Sequence, residues 1–82
     1  MEKDKKAFII KFGINLKQIR KAKKLTQAQL AADCNIEISQ ISRIERGVLN
    51  TSLGNVLSIS KALNINMEEL FKFKECDFSK KN

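Results

Sequence analysis

The chain has 82 residues, 43% apolar and 30% charged, with 16 basic side chains against 9 acidic ones for a formal charge of +7. That length leaves room for one small domain rather than two, and that composition excludes a chain that is disordered throughout. There is no histidine, and Cys34 and Cys76 stand far apart, so neither a zinc site nor a histidine-based catalyst is expected; the apolar runs are too short to cross a membrane.

The segment MEKDKKAFII carries charges and too short an apolar run for a secretory signal, so the expected compartment is the cytoplasm, where both cysteines remain reduced thiols. Basic charge is concentrated in residues 1–24, where Lys3, Lys5, Lys6, Lys11, Lys17, Arg20, Lys21, Lys23 and Lys24 face only Glu2 and Asp4; residues 25–70 sum to −2 and residues 71–82 to +2. A basic end on a small domain suits attraction to phosphates, and equally a solvated helix face.

Proline is absent and strand-like alternation is weak, which predicts an all-helical chain. The first helix is predicted from about Ala7 to Lys24, with Phe8, Phe12, Leu16 and Ile19, and Ile9 beside them, forming one buried stripe. Lys11, Lys17, Lys21 and Lys24 mostly lie off that stripe. Gly13 weakens the helix by up to ~1 kcal/mol relative to alanine, which a close helix contact would explain. The second helix starts at Thr26, whose hydroxyl forms a T-x-x-Q capping box with Gln29, and ends near Cys34. Asn35 follows at a position that wants a left-handed backbone. The third helix runs from about Ile38 to Arg46 with Ile41 and Ile44 inward, and Gly47 ends it. Thr51 or Ser52 caps a fourth helix, Leu53 to Leu63, expected to bury Leu53, Val56, Leu57, Ser60 and Leu63. Asn64 closes it. Asn66 and Glu69 form a box-like pair at the start of a short fifth helix carrying Met67, Leu70 and Phe71. The closing KFKECDFSKKN reads as a helical extension or a frayed tail.

The stretch from Gln27 to Gly47 is the most informative. Leu30, Cys34, Ile36, Ile41 and Ile44 form an apolar seam, Ala31 is small where two helices approach, and Asn35 makes the turn. A helical hairpin of any kind can use some of these positions, but it does not need all of them together. A helix-turn-helix does: one helix must lie in the major groove while a second, held tightly to it, crosses the phosphates.

In LKQIRKAKKLTQAQLA, then NIEISQISRIERG, then NTSLGNVLSISKALNINMEELF, the chain resembles the Cro/C1-type helix-turn-helix domain, also called the XRE family, over about residues 11–71. The resemblance implies an all-α, five-helix lambda-repressor-like fold. It also implies a transcriptional regulator that binds double-stranded DNA at a pseudo-palindromic operator as a homodimer, with residues 38–46 in the major groove. The expected organisation is a basic lead-in and helix start at residues 1–10, the domain at 11–71 and a basic tail at 72–82.

By the same resemblance, Gln27 bonds a DNA phosphate and braces the recognition helix. Ser39, Gln40 and Arg43 face the bases, where glutamine pairs with adenine and arginine with guanine. Asn50, Thr51 and Arg46 match a phosphate-contacting segment, and Ser42 lies near the backbone or packs. Arg20 and Glu45 match an internal salt bridge, so Arg20 is expected in the fold rather than on DNA. Leu49, Ile65, Met67, Leu70 and Phe71, with Phe73 beside them, are the expected dimer surface. Two residues depart from the family pattern. Ile38 stands where many relatives carry a polar or basic base-reading residue; it either touches a thymine methyl or packs at the helix start. Glu37 replaces the usual Ser or Thr cap; its carboxylate can serve weakly at the positive helix end, yet it would repel nearby phosphates.

Neither cofactor, metal, membrane nor small-molecule ligand is expected, and no set of side chains converges as an enzyme site would. Two other roles fit the same residues: a controller protein of a restriction–modification system, or a phage or mobile-element repressor. A third, of another class, is an antitoxin-like interaction module in which Phe71, Phe73 and Phe78 dock a partner. Cys34 falls in the apolar seam, as a core thiol would.

Overall fold

The computed structural model describes residues 2–73, which form four α-helices and one short 3-10 helix: α1 (Glu2–Ala22), α2 (Gln27–Cys34), α3 (Ile38–Glu45), α4 (Leu53–Leu63) and the 3-10 helix Met67–Phe71. No strand occurs among the described residues. Residues from 74 onward, and with them Cys76, Phe78 and the reading of the tail, lie outside the described residues.

α1 begins earlier and ends sooner than its apolar stripe suggests. Glu2 and Asp4 in its first turn favour the positive helix end, so helix propagates through exposed residues 2–6 that bury nothing. Its end comes at Ala22 because Lys24 takes a left-handed backbone, φ 59°. The Leu25 amide then donates back to the Arg20 carbonyl at 3.2 Å, and the Lys24 amide to that of Lys21 at 2.9 Å. This Schellman arrangement satisfies the last carbonyls and turns Leu25 onto the core. The other three α-helices end the same way, with Asn35, Gly47 and Asn64 left-handed and Ile36, Val48 and Ile65 donating back five residues. Asparagine and glycine tolerate this conformation well, which is why those three ends are legible and the lysine is not.

The helix starts follow local chemistry. Thr26 Oγ1 accepts from the Gln29 amide at 3.0 Å while Gln29 Oε1 accepts from the Thr26 amide at 2.8 Å, a complete capping box. Ser52, rather than Thr51, caps α4 by accepting from the Asn55 amide at 3.1 Å.

The core unites Phe12 and Leu16 of α1, Leu30, Ala31 and Cys34 of α2, Ile41 and Ile44 of α3, Val56, Ile59 and Leu63 of α4, and Leu70. In α4 the buried stripe is Val56, Ile59, Ser60 and Leu63. The expected burial of Leu53 and Leu57 is wrong: they are 76% and 45% exposed. Two overlapping apolar stripes share this helix, and the packing of α4 against α2 and the 3-10 helix selects the one containing Ile59. Ser60 is tolerated inside because its hydroxyl donates to the Leu57 carbonyl at 2.8 Å.

The fifth element is a 3-10 helix rather than an α-helix, and Asn66 makes no side-chain cap with it. Five residues are too few to repay α-helix nucleation. The segment is held instead by Asn15 of α1, whose Nδ2 donates to the carbonyls of Glu69 and Leu70 at 3.0 and 2.8 Å. Phe71 packs on Phe8 and Phe12 with ring centroids 6.1 and 5.1 Å away.

Gly13 accounts for the close contact between α1 and α3. A Cβ there would overlap the Ile44 carbonyl oxygen and sit 2.8 Å from that of Glu45. Glycine lets the end of α3 lie directly on the α1 backbone, and Gly47, φ 75°, continues the contact against Ile10.

Candidate nucleic-acid interface

α2 and α3 are joined by residues 35–37, and their seam is built from Leu30, Ala31, Cys34, Ile41 and Ile44, all buried, with Ile36 half-buried. Burial raises the pKa of the Cys34 thiol, keeping it a neutral, inert core group. With one side of α3 committed to the seam, Ser39, Gln40 and Arg43 stand exposed on the other. They form one polar surface a little over one turn long.

The base of this surface is an ion pair. Arg20 Nε donates to Glu45 Oε2 at 2.6 Å and Arg20 Nη2 to Oε1 at 3.0 Å, a two-pronged contact with each residue only 6% exposed. Arg20 Nη1 also donates to the Leu25 carbonyl at 2.8 Å. The hydrogen bond to Glu45 raises the Arg20 pKa against the opposing effect of burial, so the guanidinium stays charged. Through this pair α1 grips the last turn of α3.

Gln27, at the first position of α2, adds a third donor: its Nε2 bonds Glu45 Oε1 at 2.9 Å. It is half-buried and tied to α3 through the carboxylate that Arg20 holds. Nothing local signals this bond, because its partners lie 18 residues apart.

The remaining expected contacts are spread around this centre. Arg46 is exposed and its Nε lies 3.4 Å from Ser42 Oγ, an acceptor that holds the side chain along α3. Asn50 is exposed; Thr51 is half-buried, with its Oγ1 accepting from Asn55 Nδ2 at 2.9 Å. Asn55 is a supporting residue that the sequence reading missed, although its i+4 spacing from Thr51 on a capped helix start was a usable signal. Glu37 occupies the N-cap of α3 without a side-chain hydrogen bond, and Ile38 behind it is 49% exposed.

On the expected dimer surface one residue must be corrected. Leu70 is wholly buried within its own chain, so it belongs to the core and has no surface to offer a partner. Leu49, Ile65, Met67, Phe71 and Phe73 are each half-buried.

A helix-turn-helix family model matches residues 16–70, most of the chain. The chain is 43% identical over 63 residues to control protein C.BamHI of Bacillus amyloliquefaciens, covering 76% of this chain and 78% of that protein. Its fold matches the crystal structure of the restriction–modification controller protein C.AhdI from Aeromonas hydrophila with a TM-score of 0.78 at 42% identity, over 79% of this chain and 98% of that one. It is also 36% identical over 75 residues to the immunity repressor protein of Bacillus phage phi105, covering 84% of this chain and 52% of that protein. The chain belongs to the Cro/C1-type helix-turn-helix family. It is a DNA-binding transcriptional regulator. Within this regulator α2 and α3 are the helix-turn-helix, and α1 is the brace that locks α3 through Gly13 and Arg20. No helix among the described residues is long and apolar enough to cross a membrane.

Proposed function

We propose that this regulator is a controller protein of a restriction–modification system, binding a pseudo-palindromic operator as a homodimer in the cytoplasm. The observation that carries the reading is the division of α3: one side is sealed into the core and ion-paired to α1, while Ser39, Gln40 and Arg43 are exposed together. Side chains carried on a helix held in this way can discriminate base edges, because Gln40 offers a bidentate match to adenine and Arg43 to guanine. Gln27, Arg46, Asn50 and Thr51 supply phosphate contacts that set register and salt dependence. The likeness to C.BamHI and C.AhdI supports the controller role.

Residues 11–71 act as the DNA-binding unit, with residues 1–10 as basic lead-in and start of the first helix and 72–82 as basic tail. The dimer forms through the half-buried apolar residues Leu49, Ile65, Met67 and Phe71. Two-fold pairing then sets two α3 helices one DNA turn, about 34 Å, apart.

Selection of bound duplexes from a random DNA pool, followed by electrophoretic titration at moderate salt, tests this. The expected result is an inverted repeat bound as a 2:1 complex, with log affinity falling linearly against log salt. Affinity equal to that for random DNA overturns it. The likeness to the phi105 immunity repressor favours a second role, a phage-type repressor. Methyltransferase and endonuclease genes beside the coding sequence decide for the controller.

A further inference from the structure

Ile38 is the one exposed residue of α3 whose chemistry neither the core nor the proposed hydrogen-bonding surface uses. It is the first residue of the helix and 49% exposed. Three residues on, Ile41 is wholly buried, and with Ile44 and Glu45 it completes the inward face without Ile38. Ile36, on the other side of Glu37, packs against the core; Ile38 is not among the residues that do. Helix formation gives no reason for it either, because a β-branched residue in the first turn is a weaker helix former than alanine. Its place on the helix is at the flank of the exposed face, one turn ahead of Ser42 and beside Ser39.

We propose that Ile38 reads the C5 methyl group of a pyrimidine in the major groove. The inference rests on the DNA-binding reading of α3 given above. An isoleucine side chain has no donor or acceptor, so it cannot read the oxygens and nitrogens of base edges. The one apolar feature that a base pair presents in the major groove is the methyl at pyrimidine C5. A stiff, branched side chain is suited to it, because little rotamer freedom is lost when a methyl packs against the branch. Thymine carries that methyl, and 5-methylcytosine carries it at the same ring position. The same contact therefore makes affinity respond to thymine content, to cytosine C5 methylation, or to both.

The magnitude follows from burying one methyl, which changes affinity about fourfold. The probes are synthetic duplexes of the sequence that the full chain selects from a random pool. In one series each thymine in turn is replaced by deoxyuridine, which removes the C5 methyl and nothing else. In the other, each cytosine in turn is replaced by 5-methylcytosine. Wild type and Ile38→Ala are titrated against both series, and circular dichroism melts check that the exposed substitution leaves the fold intact.

The expected result is one position per half-site at which removing a methyl weakens wild-type binding, or adding one strengthens it, by about fourfold. Ile38→Ala should lose that response and keep its response to changes at the bases read by Gln40 and Arg43. The first series assigns the methyl to thymine and the second to 5-methylcytosine. Wild-type affinity indifferent to both series overturns the inference, as does an unchanged response in Ile38→Ala. A pool that yields no enriched sequence overturns the DNA-binding reading itself, so the two failures are distinct.

Discussion

Glu45→Ala removes the acceptor on which α1, α2 and α3 converge. Three donors lose their partner at once: Arg20 Nε at 2.6 Å, Arg20 Nη2 at 3.0 Å and Gln27 Nε2 at 2.9 Å. Of the Arg20 bonds described above, only that to the Leu25 carbonyl survives. The guanidinium, with 8% of its side chain exposed, cannot recover water in place of the carboxylate without opening the core. Breaking a buried pair in this way typically costs ~3–5 kcal/mol. Small domains have a total stability of roughly 5–15 kcal/mol, so a large share of it is lost. At about 4–8 °C per kcal/mol for a chain of this size, the melting temperature should fall by at least about 12 °C. The assay is far-ultraviolet circular dichroism against temperature and urea, at one protein concentration because self-association shifts the midpoint by mass action. A companion double variant, Arg20→Met with Glu45→Leu, removes both charges and keeps apolar volume; it should regain most of the loss. A Glu45→Ala midpoint within about 3 °C of wild type refutes the reasoning, since even 1 kcal/mol moves it further. A double variant no more stable than Glu45→Ala refutes the attribution to an unpaired buried charge.

Gly13→Ala should push α3 away from α1, because its Cβ meets backbone carbonyls that cannot rotate aside. The expected loss is ~1–3 kcal/mol in urea unfolding together with weaker operator binding, and unchanged values of both contradict the close approach. Burial raises the Cys34 pKa above its ordinary 9.0, so the neutral thiol's contribution to stability is present below that pH and is lost as pH rises through the higher folded value. Native Cys34 should therefore resist iodoacetamide at pH 8 and react in urea, as peptide mapping by mass spectrometry would read separately from Cys76. Arg43→Ala should lower affinity for the selected operator by ~1–3 kcal/mol and relax preference at one base pair with little change in salt slope, whereas an altered slope with preference kept would make Arg43 a phosphate contact.

The residues that cap and stop helices were readable in order along the chain, because each acts on neighbours three to five positions away. The Thr26–Gln29 box, Asn35, Gly47 and Asn64 are of this kind, and so is the inward spacing of Ile41 and Ile44, whereas Thr51 and Ser52 stood as alternatives and the Asn66–Glu69 pair forms no side-chain cap. The family motifs added Arg20 with Glu45, a pair that no local rule could supply. The misreadings have the opposite character. Leu53 and Leu57 share a helix with an equally good apolar stripe through Ile59, and helical periodicity alone does not choose between them. Leu70 looked like surface because a short amphipathic segment does not announce how deeply it will dock. Lys24 adopts a backbone that lysine seldom prefers, since turning Leu25 into the core outweighs that preference.

By itself, then, the sequence determined helices α1 to α4 and the ends of α2, α3 and α4, because these depend on periodicity and on bonds within a turn or two, while the family resemblance supplied the base-facing set Ser39, Gln40 and Arg43. Tertiary structure decided how α3 is held, by Gly13 against the carbonyls of Ile44 and Glu45 and by Gln27 joining Arg20 on one carboxylate, and how the 3-10 helix is clasped by Asn15. Those contacts join residues 18 to 55 positions apart. Such partners are chosen only when helices already formed settle against one another and buried polar groups must find donors and acceptors.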